Sequence, residues 1–393
     1  MKLLFFPILL LLFLTACQKE TFEIDTISTY DYGGQVTEIT FLGEYSPADA
    51  IQMIQLAKPT APVSTHCGFY LYRVQYKTHQ FDNQVIIASG LIGIPKSRNI
   101  KGLVSWQHYT NPTRAESISN PSPGEGIGMG TLFAADEYLL VAPDYIGSGT
   151  SLEVHPYYHT KSTTNAVIDL LKVGEVILNH LTTNRNLYLA GFSQGAGASV
   201  ATQRALEIEN PTHLELKATA SISGAFDLRN ISLKYSLNQN TTNSLLYLCY
   251  VSNAYSLIYN HPLNTFVKPP YTTLIPTWFD GSKTYTFLKA NFPAKSTDLF
   301  TEAFYNELNA NTTNWFTKAL DENEMYLWNP KQPLKFYYGT SDIDATPEES
   351  FHAYSSMKEN GGNVTIECLG AVDHAGSFIE ALPRVQAWFN QMK

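Results

Sequence analysis

The sequence predicts an α/β protein with a mostly parallel central sheet flanked by helices and a helical cap inserted into it. Three observations lead there. From residue 138 onward, short β-branched and aromatic runs alternate with amphipathic stretches, the pattern of parallel strands joined by crossover helices. The alternation breaks over 230–331 and resumes at 334, so an insertion sits inside it. The 393-residue chain is 44% hydrophobic and 16% charged, which supplies a large core and excludes a disordered chain. A net charge of −9 with no cluster of Lys and Arg excludes a phosphate-neutralising surface, so nucleic acid is not an expected partner.

The first residues carry an address. Lys2 precedes an almost wholly apolar run over 3–14, and Leu14, Thr15, Ala16 and Cys17 end it with small residues before a cysteine. The segment 1–17 resembles a bacterial lipoprotein signal. That resemblance implies a diacylated Cys17 as the mature N-terminus, exported and anchored through its lipid to a membrane of the cell envelope, at the periplasmic face or the outer membrane. The run is too short to span a bilayer comfortably, and no second apolar segment follows. Residues 18–60 are polar and weakly periodic, and are expected to form a tether leading into the fold.

The catalytic part is expected over 61–229 and 332–393, with structure beginning in earnest after Cys67. Segments 69–76 and 85–94 are rich in aromatic and β-branched residues around a polar stretch with Gln80, Asp82 and Asn83, an antiparallel pair. Strands follow at 103–107 and 138–142. Next come a helix over 163–181 with Ala166, Leu170, Val173 and Ile177 on its stripe, a strand at 187–190, a helix over 197–208 and a strand at 216–222. After the insertion there is a strand at 334–338, a helix over 347–359, a strand at 364–369 and a terminal helix with Phe378, Leu382, Val385 and Trp388 on its apolar face. The insertion, 230–331, is too long for a simple loop and too aromatic for disorder. With Tyr247, Tyr250, Tyr255, Trp278, Phe279 and Phe316 set among Asn and Thr, it should fold as a small helical cap. Beyond Cys17, the cysteines Cys67, Cys249 and Cys368 allow at most one internal disulfide and show no metal-ligand spacing.

The strongest local signal is Gly191, Phe192, Ser193, Gln194, Gly195, directly after the strand at 187–190. A nucleophile on a sharp strand-to-helix turn needs small residues two before and two after it, because side chains there would collide across the turn. The helix N-terminus then offers free N–H groups and the positive end of its dipole to a developing oxyanion. A serine hydroxyl also needs a base. Among ten histidines, His374 lies in a polar loop after the last strand, at the carboxyl edge of the sheet from which Ser193 projects. Asp342 follows the strand at 334–338 through Gly339, Thr340 and Ser341 and is placed to orient the imidazole. Asp344 is the alternative, and the loop spacing before Pro347 favours Asp342. Asp373 is too close to His374 along the chain to bend back and reads as a turn residue.

The chain order Ser193, Asp342, His374 resembles the α/β-hydrolase superfamily over 69–393, and within it the secreted lipase and esterase branch. The branch-like segments run from Ser105 through Trp106, Gln107, His108 and Tyr109 to Thr110, from Ala142 through Asp144 to Gly149, and over His155, Pro156 and Tyr157. The resemblance implies one oxyanion donor from the backbone of Gln194 and a second from that of Tyr109 or Thr110. Tyr109 stands where glycine is usual, which leaves the second donor open, with a hydrogen bond from Tyr109 to substrate as the other reading. His108 is expected to brace its loop, and 144–151 to form a structural turn.

The implied chemistry is acyl transfer without metal or organic cofactor. Ser193 attacks the carbonyl of a small-molecule or lipid ester, His374 carries the proton to the leaving alkoxide, and Asp342 fixes the imidazole tautomer. Two rivals accompany it. A serine peptidase on the same fold would need acids in the cap, such as Asp321, Glu322 and Glu324, to hold a free amino terminus. An inactive envelope binding module would have kept the fold alone.

Overall fold

The computed structural model describes residues 35–120, 124–239 and 241–392, so the expected signal segment and Cys17 lie outside the described residues. Strands β1 (Val36–Tyr45), β2 (Phe69–His79) and β3 (Val85–Pro95) pair antiparallel in that order. Strands β4 (Gly102–Gln107), β5 (Tyr138–Pro143), β6 (Asn186–Phe192), β7 (Glu215–Ile222), β8 (Leu334–Tyr338) and β9 (Val364–Cys368) are parallel, and β5 joins them to β3. The sheet order is β1-β2-β3-β5-β4-β6-β7-β8-β9. The helices up to β7 are α1 (Pro47–Ala57), α2 (Glu125–Met129), α3 (Thr160–Leu181) and α4 (Gln194–Ile208). Between β7 and β8 lie α5 (Lys234–Gln239), α6 (Thr242–Ile258), α7 (Tyr271–Trp278), α8 (Tyr285–Asn291), α9 (Ser296–Leu299), α10 (Glu302–Asn309) and α11 (Trp315–Glu322). Helices α12 (Pro347–Glu359) and α13 (His374–Gln391) complete the chain.

Because successive strand residues point to opposite faces, β5 feeds two cores. Leu139 and Val141 pack with Val167, Leu170, Val173 and Ile177 of α3, while Leu140 and Ala142 share the other face with Ala381, Val385 and Phe389 of α13. Each large apolar side chain buried this way contributes about 1.5–3 kcal/mol. The cap has its own core. Tyr250 stacks between Tyr157 at 4.4 Å and Phe279 at 4.2 Å, and Phe266 packs against Phe304 at 5.0 Å.

Two devices fasten the cap to the sheet. Buried Glu349 of α12 accepts the N–H groups of Phe226 and Asp227 at 2.8 and 3.0 Å and the hydroxyl of Ser232, at the cap's root. Burial nevertheless pushes its carboxyl up to about 7. Arg114, in the loop after β4, donates to the carbonyl of Ser151 at 2.7 Å and to that of Asp280 in the cap.

Ordered structure begins well before Cys67, in the segment expected to be a tether. Residues 36–57 form β1 and α1. Strand β1 is an edge strand held by its ladder to β2, and α1 is set by a Ser46–Asp49 capping box with Pro47 in its first turn, yet buries only Ala50. Helix α4 starts at Gln194 rather than 197, its first turn hidden from propensity by Gly195 and Gly197. Cys67, Cys249 and Cys368 are all free thiols, the first two buried.

Candidate active site

Ser193 alone makes the turn between β6 and α4, with φ 57° and ψ −117°. Such a conformation costs a residue with a side chain about 1–3 kcal/mol and persists only when its surroundings hold it. Here the N–H of Ser193 donates to Ile222 O at 2.9 Å, and the N–H of Ala196 donates to Ser193 O at 3.0 Å. The flanking glycines are steric necessities. A Cβ on Gly191 would sit 2.1 Å from the carbonyl oxygen of Gly195, and one on Gly195 would sit 1.9 Å from that of Gln107. The second approach seats the first turn of α4 against the loop that carries Tyr109 and Thr110.

His374 is the first residue of α13 rather than part of a loop, because the side chain of Asp373 caps that helix by accepting the N–H of Gly376 at 2.8 Å. Its Nε2 accepts the hydroxyl of Ser193 at 2.9 Å, and its Nδ1–H donates to Oδ2 of Asp342 at 2.8 Å. The Phe192 ring lies 4.6 Å from the imidazole. The Asp342 side chain is fully buried, and its Oδ1 accepts the N–H groups of Asp344 and Ala345, both at 2.9 Å. Asp344 instead accepts the amide of Asn243 at 2.7 Å, so Asp342 is the acid in contact with His374. This arrangement can take a proton from a hydroxyl and hold the resulting imidazolium beside a buried carboxylate.

Among the described residues, no backbone acceptor takes the N–H of Gln194, Tyr109 or Thr110. The side chains around these groups are braced by one short loop. Nε2 of Gln194 donates to Nε2 of His155 at 2.8 Å, while Nδ1–H of His155 donates to Ile146 O at 2.7 Å. Burial lowers His155 to about 4, so it is neutral and has one nitrogen for each task. Two residues on, the Tyr157 hydroxyl meets Thr110 Oγ1 at 2.8 Å. The sequence marked His155 and Tyr157 only through a resemblance, and no local pattern reveals this bracing.

Tyr109 is 38% exposed, its ring against Phe192 and Phe378. His108 is buried between Tyr109 O at 2.7 Å and Asp144 O at 3.1 Å, stacks on Tyr145 at 4.3 Å, and has its pKa lowered by burial. It braces the loop. Asp144 accepts the N–H of Ser119 at 3.0 Å and the hydroxyls of Ser89 and Ser119, and a Cβ on Gly149 would come within 2.2 Å of its carboxylate. Residues 144–151 are therefore a packed turn.

A cavity opens beside Ser193 under the cap, walled by Tyr157, Leu228, Ile231, Tyr247, Val251 and Phe316, with Asp344 and Glu349 at its polar side. Tyr250, Tyr255, Trp278 and Phe279 fill the cap's own core instead. Asp321, Glu322 and Glu324 do not line it. Asp321 pairs with Arg229 at 2.6 Å, and Glu324 accepts the N–H groups of Tyr326 and Leu327.

No protein-family model and no curated protein matches the sequence. Solved structures do resemble the fold. A candidate hydrolase of Legionella pneumophila superposes with a TM-score of 0.84 at 24% identity, covering 91% of this chain and 98% of that one. The rice cell wall degrading esterase LipA of Xanthomonas oryzae gives 0.80 at 24% identity, over 92% and 99%. Lipase A of Candida antarctica in its closed state gives 0.69 at 12% identity, over 92% and 83%. With its nine-stranded sheet flanked by helices, the chain has the α/β-hydrolase fold.

Proposed function

We propose that the protein is a serine hydrolase that cleaves carboxylic esters through an acyl-enzyme on Ser193. The observation that carries this reading is the unbroken relay from Ser193 Oγ to Nε2 of His374 at 2.9 Å and from Nδ1 to Asp342 at 2.8 Å. Ser193 attacks the ester carbonyl as His374 takes its proton, and the alkoxide leaves with that proton. Water, activated by the same imidazole, then releases the acid. The backbone of Gln194 and of Tyr109 or Thr110 receives the oxyanion. An ester is favoured over a peptide because the cavity wall beside Ser193 is mainly apolar and the cap acids lie elsewhere.

The test is an acyl-length panel of p-nitrophenyl esters on wild type and Ser193→Ala, with fluorophosphonate labelling alongside. The substitution should lower kcat by at least about 10⁴-fold. Retained turnover sinks the reading, faster cleavage of aminoacyl arylamides favours a peptidase, and a wild type that neither turns over nor labels is a binding module.

Cys17 is proposed to carry the lipid that holds the enzyme at the cell envelope. Among the described residues no helix is long and apolar enough to cross a membrane. Metabolic labelling with a fatty acid should be lost in Cys17→Ser, and equal labelling of both proteins would dismiss the anchor.

A further inference from the structure

A second groove, of about 380 Å³, lies between α1, α2 and α13, and none of its lining residues belongs to the cap. That size falls in the range of small-molecule sites, about 300–1,000 Å³. Its walls include Met53, Ile54, Met129, Leu132 and Leu382, and Tyr109 and Phe378 also line it. A row of packed rings joins the imidazole to the lining of this groove. His374 packs on Phe192 at 4.6 Å, and Phe192 packs on Phe378 at 5.1 Å and on Tyr109 at 6.1 Å.

The chemistry says which half of a substrate meets that path. His374 must hand its proton to the leaving oxygen, so the alcohol half of an ester lies against the imidazole. The acyl half stays on Ser193, which lines the cavity under the cap, where neither Tyr109 nor Phe192 takes part. We infer that the groove between α1, α2 and α13 is the alcohol-side subsite and takes an unbranched alkyl chain of the leaving alcohol, an inference that rests on the ester-hydrolase reading.

Two features fit an alkyl occupant. Glu125 lines the groove, accepts the indole N–H of Trp106 at 2.7 Å and is pushed by burial up to about 8, so at pH 7 it presents no charge to a hydrocarbon chain. Leu56 of α1 is 74% exposed and Ile379 of α13 is 49% exposed, so two of the helices that bound the groove carry apolar surface outward, as suits a chain arriving from a lipid phase.

Gly128 provides a direct test, because it lines the groove and a Cβ built on it meets nothing within 4 Å. Gly128→Phe adds a ring at the rim of the groove, and its Cβ displaces no neighbour. Calorimetric binding of 1-dodecanol to the full-length Ser193→Ala protein should weaken at least tenfold when Gly128→Phe is added. In the active enzyme, butyrate esters of ethanol, hexanol and dodecanol should gain about two- to fourfold in kcat/KM per buried methylene. Gly128→Phe should cut the dodecyl-to-ethyl ratio at least tenfold. Undiminished dodecanol binding overturns the inference, as does a variant that loses acyl-length preference instead of alcohol-length preference. Failure of the esterase reading shows separately, as absence of Ser193-dependent turnover of p-nitrophenyl butyrate. Dodecanol binding then still decides the groove, its loss upholding an alkyl site and its persistence overturning one.

Discussion

Replacing Asp342 with asparagine should reverse the tautomer of His374 while leaving the ring in place. Oδ1 of Asp342 accepts two N–H groups, from Asp344 and Ala345 at 2.9 Å, and Oδ2 accepts Nδ1–H of His374 at 2.8 Å. In Asp342→Asn the amide oxygen must keep facing the two N–H groups. Turning the amide would set its –NH₂ against both in a fully buried position, leaving donors unsatisfied at about 1–3 kcal/mol each. The –NH₂ then faces Nδ1, which can only accept, so the ring proton moves to Nε2 and points at Ser193. The base is lost although the shape survives. In a serine protease triad the same exchange lowers kcat about 10⁴-fold, about 5.5 kcal/mol of barrier, and a loss of that order is expected here. The assay is kcat on a short aryl ester between pH 6 and 9, with the urea midpoint to show that folding is intact. A kcat within tenfold of wild type, or a larger loss in Asp344→Asn, would refute the reasoning.

Four further outcomes follow from the same geometry. Ser193→Gly should abolish turnover yet raise stability by about 1–2 kcal/mol in urea unfolding, because glycine tolerates φ 57°. Gly195→Ala should destabilise the fold by several kcal/mol or prevent its accumulation, since the added Cβ meets Gln107 O at 1.9 Å, and a thermal melt within a few degrees of wild type would dismiss the steric argument. Tyr157→Phe frees Thr110 and His155→Ala frees the Gln194 side chain, so each should lower kcat about three- to thirtyfold with KM little changed, and an effect on KM alone would assign them to substrate binding. Burial raises Glu125 to about 8 and Glu349 to about 7, so the folded chain holds protons that the unfolded chain releases near pH 4.5. Stability is then greatest below that pH for these groups and falls as pH rises through 7 to 8. Urea midpoints at pH 5, 7 and 9 should show the decline, and Glu125→Gln should flatten it.

The edge of the sheet where Ser193, Asp342 and His374 meet is legible in the sequence because each of its parts is local. Glycines two before and two after a serine, between an apolar strand and a helix, report a turn that admits no side chains, and the close approaches at Gly191 and Gly195 show why. Asp342 and His374 could be read from their places after β8 and β9. What was not legible depends on contacts distant in sequence. Strand β1 owes its order to pairing with β2, and α1 buries too little for its periodicity to speak. The glycines of 124–130 mask α2. Aromatic content announced a cap, but composition could not say that Tyr247 and Phe316 face the cavity while Tyr250 and Trp278 face inward. The second groove joins residues 53–63, 124–132 and 378–383, which no single window of sequence brings together.

The cap's position in the chain sets the order in which a growing polypeptide gains chemistry. Ser193 and His374 are 181 residues apart, with α5 to α11, β8 and β9 between them. At about 5–20 residues per second, the serine leaves the ribosome roughly ten to forty seconds before its base. Throughout that interval the hydroxyl has no His374 beside it, and a copy truncated before α13 lacks the contact altogether. The pairing of Ser193 with His374 thus cannot form until the final helix has been made and docks.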